Sequence, residues 1–151
     1  MRFQQLSDLF KHMLVCRESL ASSYHQLGAQ ASFEKTRILL HYLEERERKG
    51  LSYYQTLIDD SPNDIAQTWV DLSSDTDTLA QIKDVNLNQY MDADAILTWV
   101  MLIEDQLLAL LEQAQQSLGL GHAKESLGQV IEHHNNRQHQ LVHAVHRLDD
   151  M

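Results

Sequence analysis

A chain of 151 residues amounts to one domain and can bury a core without covalent staples. With 1 Pro and 5 Gly it lacks the turn residues of a sandwich or barrel, which leaves a mostly helical fold. A single Cys excludes an intramolecular disulfide and a Cys-based zinc site. A net charge of −10 argues against nucleic acid or an anionic membrane as partner.

The N-terminal stretch MRFQQLSDLFKHM has no apolar run of signal-peptide length. The longest apolar region, Ala95 to Leu111, is broken by Glu104, Asp105 and Gln106 and is too short for a membrane span. A soluble, cytoplasmic protein is expected. The helical period then places four long elements in one domain covering residues 1–151. The first runs from about Phe3 to Leu27 on the stripe Leu6, Phe10, Met13, Leu14, Ala21, Tyr24 and Leu27, with Gly28 as its stop and Ser32 as the next N-cap. The second runs from about Phe33 to Ile58 on Phe33, Leu40, Leu43, Leu51, Tyr54 and Leu57, with Gly50 inside it, and ends before Pro62.

From about 60 to 91 the pattern weakens. Asn63 can cap a short helix from Asp64 to Leu72, the SSDTD run from Ser73 to Asp77 reads as loop, and Thr78 to Tyr90 is open between coil and a further helical turn. This segment is too long for a simple connection between adjacent helices and reads as a crossover along the bundle. The third helix starts at Asp92 or Asp94 and runs to about Leu118. It is apolar almost all round from Ala95 to Ile103, which suits deep burial or dimerisation. Gly119 and Gly121 mark a turn, and the fourth helix runs from about His122 to Leu148 on Leu127, Val130, Ile131, Leu141, Val142, Val145 and Leu148. The expectation is an all-α four-helix bundle with one long crossover.

Polar residues interrupt the apolar stripes near the middle of each helix: Glu18, Glu47 (with Glu44 one turn earlier), Glu104, and His134. A carboxylate in an apolar interior must be paired, protonated or bound to a cation. Converging carboxylates and a His suit iron, manganese or zinc. Pairing of Glu18 with Arg17 or Arg37 is the alternative.

The central Glu residues, the His on the fourth helix and the crossover together resemble the ferritin-like superfamily, which includes rubrerythrins and bacterioferritins. The resemblance spans nearly the whole chain. It implies a dinuclear iron or manganese centre, with one Glu from each of two helices and Glu-x-x-His from each of the other two. By position Glu18 and Glu104 match the single Glu ligands, Glu47 the Glu of the first Glu-x-x-His, and His134 or His139 the His of the second. Glu44 would be an auxiliary carboxylate. Gly50 stands where the first motif has His, and Ile131, or Asn136 in the other register, where the second has Glu.

Two functions follow. One is a ferritin-like or rubrerythrin-like metal protein with oxidoreductase activity toward oxygen or peroxide. The other is a degenerate bundle without metal, a homodimeric interaction or regulatory module. Among the 9 His, His139, His143 and His146 share a helical face that offers peripheral zinc, copper or nickel binding, though a solvated face is the simpler reading. His25 reads as partly buried, Cys16 as a packed small residue, and Trp69 and Trp99 as packing anchors. No phosphate-binding Gly loop, Ser nucleophile elbow or basic patch stands out.

Overall fold

Six helices and one short strand pair make up the protein, in a computed structural model that describes residues 3–73, 75–84 and 87–150. The four long helices are α1 (Leu6–Gln30), α2 (Glu34–Asp60), α5 (Ala93–Gln116) and α6 (His122–Asp149). Between α2 and α5 lie α3 (Asn63–Ala66), β2 (Trp69–Asp71) and α4 (Thr78–Lys83). Before α1, β1 (Phe3–Gln5) pairs antiparallel with β2, Gln4 opposite Val70. The all-α expectation holds, and no helix among the described residues is long and apolar enough to cross a membrane.

Hydrogen bonds trace the path of the chain. The turn after α1 makes α2 antiparallel to it. At the far end of α2, the Leu6 amide donates to the Thr68 carbonyl (2.8 Å), and the strand pair ties this end to the start of α1. The segment then climbs along α1, against which α4 packs, until the Ser32 amide donates to the Gln89 carbonyl at 2.9 Å. It has crossed the full length of the molecule, so α5 runs parallel to α2 and returns to the strand end, where the Asp71 amide donates to Ser117 Oγ at 3.1 Å. α6 runs back up and ends with Lys35 Nζ donating to Asp149 at 3.0 Å.

The core is built mostly from the expected stripes, with Leu6, Phe10, Met13, Leu40, Leu43, Val100, Leu107, Leu127 and Leu141 fully buried, whereas Phe33 and Val142 of those stripes are exposed. Val70, Leu72 and Ile82 of the crossover join it. Asp92 caps α5, its carboxylate accepting from the Ala95 amide at 2.9 Å.

Several local expectations change. Phe3–Gln5 is strand, because β2 supplies a partner for its backbone. Gly28 does not stop α1, which continues to Gln30. A Cβ there would meet Leu40 Cβ at 3.5 Å, so its smallness serves the close approach of α1 and α2. Phe33, not Ser32, holds the N-cap position of α2. The short helix after Pro62 stops at Ala66, and Trp69 is exposed on β2 instead of anchoring a core. Trp99 packs edge-on against Tyr24, ring centroids 6.5 Å apart. The loop reading for Ser73–Asp77 and the open reading for Thr78–Tyr90 fall partly on residues 74, 85 and 86, which lie outside the described residues.

Candidate functional site: a buried arginine–carboxylate centre

Three of the proposed ligands meet midway along the four long helices. Glu47 of α2, Glu104 of α5 and His134 of α6 are each at most 1% exposed. The cation among them is Arg17 of α1, itself 1% exposed. Its Nη1 donates to Glu104 Oε1 (2.6 Å) and to Glu47 Oε1 (3.1 Å), and its Nη2 donates to Glu104 Oε2 (2.9 Å). The Arg17–Glu104 pair is thus a two-pronged fork, the strongest geometry available to these groups.

His134 completes the ring. A guanidinium only donates, so His134 Nδ1 accepts from Arg17 Nη2 (3.3 Å). Nε2 therefore carries the proton and donates to the Glu104 carbonyl at 3.1 Å. Burial first, and then the charge of Arg17, push the imidazole down to about 4 against the pull of Glu104, so it is neutral near pH 7. Burial alone would raise the Glu104 carboxyl. The charge and hydrogen bonds of Arg17, with Arg46 and His134, outweigh it and hold that group well below the usual carboxylate range.

Two more arginines flank this centre. Arg46 Nη1 donates to Glu47 Oε1 at 3.2 Å and lies 3.6 Å from Glu104 Oε1. Arg46 Nη2 donates to the Arg137 carbonyl (3.2 Å), and Arg137 Nη2 returns a bond to the Arg46 carbonyl (3.3 Å). Arg137 Nη2 is also 3.8 Å from Glu47 Oε2. Gly50 of α2 lies against this pair. A Cβ on Gly50 would come within 3.0 Å of Arg137 Nη2, so the missing side chain makes room for a guanidinium.

The remaining predicted residues lie elsewhere. Glu18 is exposed on the outer face of α1, one residue and ~100° of helix turn from Arg17. It shares a shallow surface depression with Ser19 and Lys83. Glu44 is partly exposed and bound to Arg48 (2.7 Å) and His25 (3.1 Å), and His25 is itself largely exposed. His139, His143 and His146 are all exposed. Among the described residues, no three His, Cys, Asp or Glu side chains are grouped so as to hold a metal ion. Burial, with a smaller push from Asp75, raises the Cys16 thiol to about 12, which leaves it inert as a nucleophile. Arg17, Arg46 and Arg137 are the centre's unanticipated members. Arg17 and Arg137 fall on the apolar stripes of their helices, which is the signal that marks them; Arg46, in a charged run, carries no such signal.

A comparison of the chain with protein-family models, curated proteins and solved structures finds no match in any of the three. The functional reading therefore stands on the residues themselves.

Proposed function

We propose that this chain is a ferritin-like four-helix bundle whose polar centre is closed by an arginine instead of a metal, and that it acts as a homodimeric binding or regulatory module. The observation that carries this reading is the position of Arg17. Its guanidinium already meets both central carboxylates and the acceptor nitrogen of His134. Those are the atoms a dinuclear iron or manganese centre would require.

The residues present do not fit such a centre. Glu18 points outward, Glu44 is held by Arg48 and His25, and the missing His of the first motif is filled by Arg137. Three buried guanidinium groups around two carboxylates already provide the positive charge that a metal would supply. Glu47 Oε1, both oxygens of Glu104 and His134 Nδ1, which a centre reacting with oxygen or peroxide would use, are engaged by arginine, while Glu47 Oε2 lies 3.8 Å from Arg137 Nη2. What the fold offers is a rigid scaffold with a neutral His and a surplus of cationic donors at its middle.

The test is metal content of untagged protein expressed in iron- and manganese-supplemented medium. Well below one metal per folded chain is expected. About two per chain, lost in Glu104→Ala, would overturn the reading in favour of a di-iron or di-manganese protein. Self-association is checked by light scattering. A mass of twice the chain's 17.5 kDa agrees with a homodimer, for which the half-exposed Leu102 on α5 offers an apolar contact. A mass of one chain removes that part of the proposal.

A further inference from the structure

A cleft of about 390 Å³ opens between α2 and α6 directly beside the buried centre. Arg46, Lys49 and Gly50 line it from α2, His133 and Arg137 from α6. In a chain of net charge −10, Arg46, Lys49 and Arg137 line this cleft and Arg17 lies behind it in the buried centre, together four of the 12 basic residues. Glu45 also lines the cleft and is its acidic member; its carboxylate lies 3.3 Å from the exposed His41 ring, an ion pair only when that imidazole is protonated.

The charges do not balance. Arg17, Arg46 and Arg137 face Glu47 and Glu104, so one positive charge is in excess even with both carboxylates ionised, and His134 adds none near pH 7. Buried uncompensated charge is costly and calls for a counter-charge. Arg137 is the least compensated of the three: it is 8% exposed, its carboxylate contact is the 3.8 Å approach of Nη2 to Glu47 Oε2, and its Nη1 has no hydrogen-bond partner among the described residues. His133 Nε2 is likewise buried without one. The His133 ring stacks on Tyr53, centroids 3.6 Å apart and planes within 11°, which fixes one wall of the cleft. Lys49 stands exposed at the rim, with no carboxylate partner among the described residues.

We propose that this cleft binds a small oxyanion, a phosphate group free or on a small metabolite, through Arg137 and Lys49 with Arg46 behind them. Guanidinium and ammonium groups arranged this way recognise tetrahedral and planar oxyanions by fork geometry and point charge. The proposal rests on the metal-free reading in one respect: Arg17, and no metal, neutralises Glu47 and Glu104.

The experiment is a titration of the full chain, in chloride buffer with EDTA, with inorganic phosphate and separately with phenyl phosphate. Amide NMR shifts report the site, and sodium chloride at matched ionic strength is the control. Saturable shifts at α2 and α6 beyond the chloride response are expected. Lys49→Ala should weaken binding roughly threefold to fivefold, the value of one exposed charge. Arg137→Gln should weaken it about tenfold or more, the value of a hydrogen bond to a charged group. Tighter phenyl phosphate would assign a phosphate ester as the ligand, and equal affinities free phosphate. A response that chloride reproduces, or that both variants retain in full, overturns the proposal. If Arg137→Gln does not fold, the exposed Lys49→Ala decides. Metal analysis of the same preparation, taken before EDTA is added, separates the two readings. A metal-free protein blind to phosphate refutes only the cleft, whereas stoichiometric metal refutes the function proposed above.

Discussion

Arg17 is the residue on which the interior depends. Removing one partner of a buried ion pair leaves the others uncompensated, at a cost of about 3–5 kcal/mol. Arg17→Met should therefore lower the unfolding free energy by that amount in urea titration, because Glu104 loses its two-pronged partner, and adding Glu104→Gln alone should recover much of it, since Glu47 stays to face Arg46 and Arg137. A loss under ~1 kcal/mol would show that the cluster is not the closed centre described here. His134 gives a pH signature. The folded protein keeps it neutral down to about 4, whereas the unfolded chain takes up the proton near 6.5. As pH falls through that window the unfolded state binds the proton first, and stability drops by on the order of 3 kcal/mol. Below the ordinary carboxylate value of 4.5, protonation of Glu104 adds a further loss. His134→Gln, which can still accept from Arg17 and donate to the Glu104 carbonyl, should flatten the upper part of this profile. Urea titrations at stepped pH read the difference, and an unchanged profile would contradict a neutral His134. Arg17 was legible in the sequence by its spacing. Leu6, Phe10, Met13, Arg17, Leu20, Tyr24 and Leu27 form one unbroken helical stripe, so the basic residue sits inside it and Glu18 falls on the outer face. Looking for carboxylates alone hides this, because a buried acid implies a cation and arginine is the simplest one.

At the scale of elements, periodicity located the four long helices to within a few residues, because their buried faces repeat over six or more turns. Asp92 illustrates a local signal that survives folding. Its carboxylate accepts the Ala95 amide, so Asp92→Ala should cost about 1 kcal/mol while Asp92→Asn is nearly neutral. Chemical denaturation of the two variants checks this, and equal losses would deny the cap. Gly50 shows a balance of effects. Gly50→Ala gains about 1 kcal/mol of helix propensity but drives a Cβ to 3.0 Å from Arg137 Nη2, the movable end of a long side chain. The net change in stability should fall short of the full propensity gain, and a full gain would show that Arg137 does not rest there. Among the short elements, the helix after Pro62 was legible, though not its end, and the strands were not. β1 is strand only because β2, more than sixty residues later, pairs with it, and three residues carry no readable period. Gly28 looks like a stop but serves helix packing, a role that depends on Leu40 across the interface.

At the scale of the whole molecule, the crossover was legible from segment length alone, since no short connection could absorb residues 60 to 91. Its path was not, because it depends on single contacts such as Leu6 with Thr68 and Ser32 with Gln89. The concentration of cations at the α2–α6 cleft was equally hidden. Arg46, Lys49 and Arg137 come from two helices far apart in the chain and form no run in the sequence, and the net charge of −10 points the other way. The resulting molecule is a bundle whose four polar stripes meet in an internal ion-pair network, with its surplus charge facing a cleft. The most direct test of that centre is the thermal midpoint of the native chain in EDTA, and in EDTA-free buffer with ~1 mM iron(II) or manganese(II), since a ligand that binds only the folded state raises stability by mass action. An unchanged midpoint is expected, because Arg17 already engages Glu47, Glu104 and His134. A rise of several degrees that Glu104→Ala abolishes would contradict it.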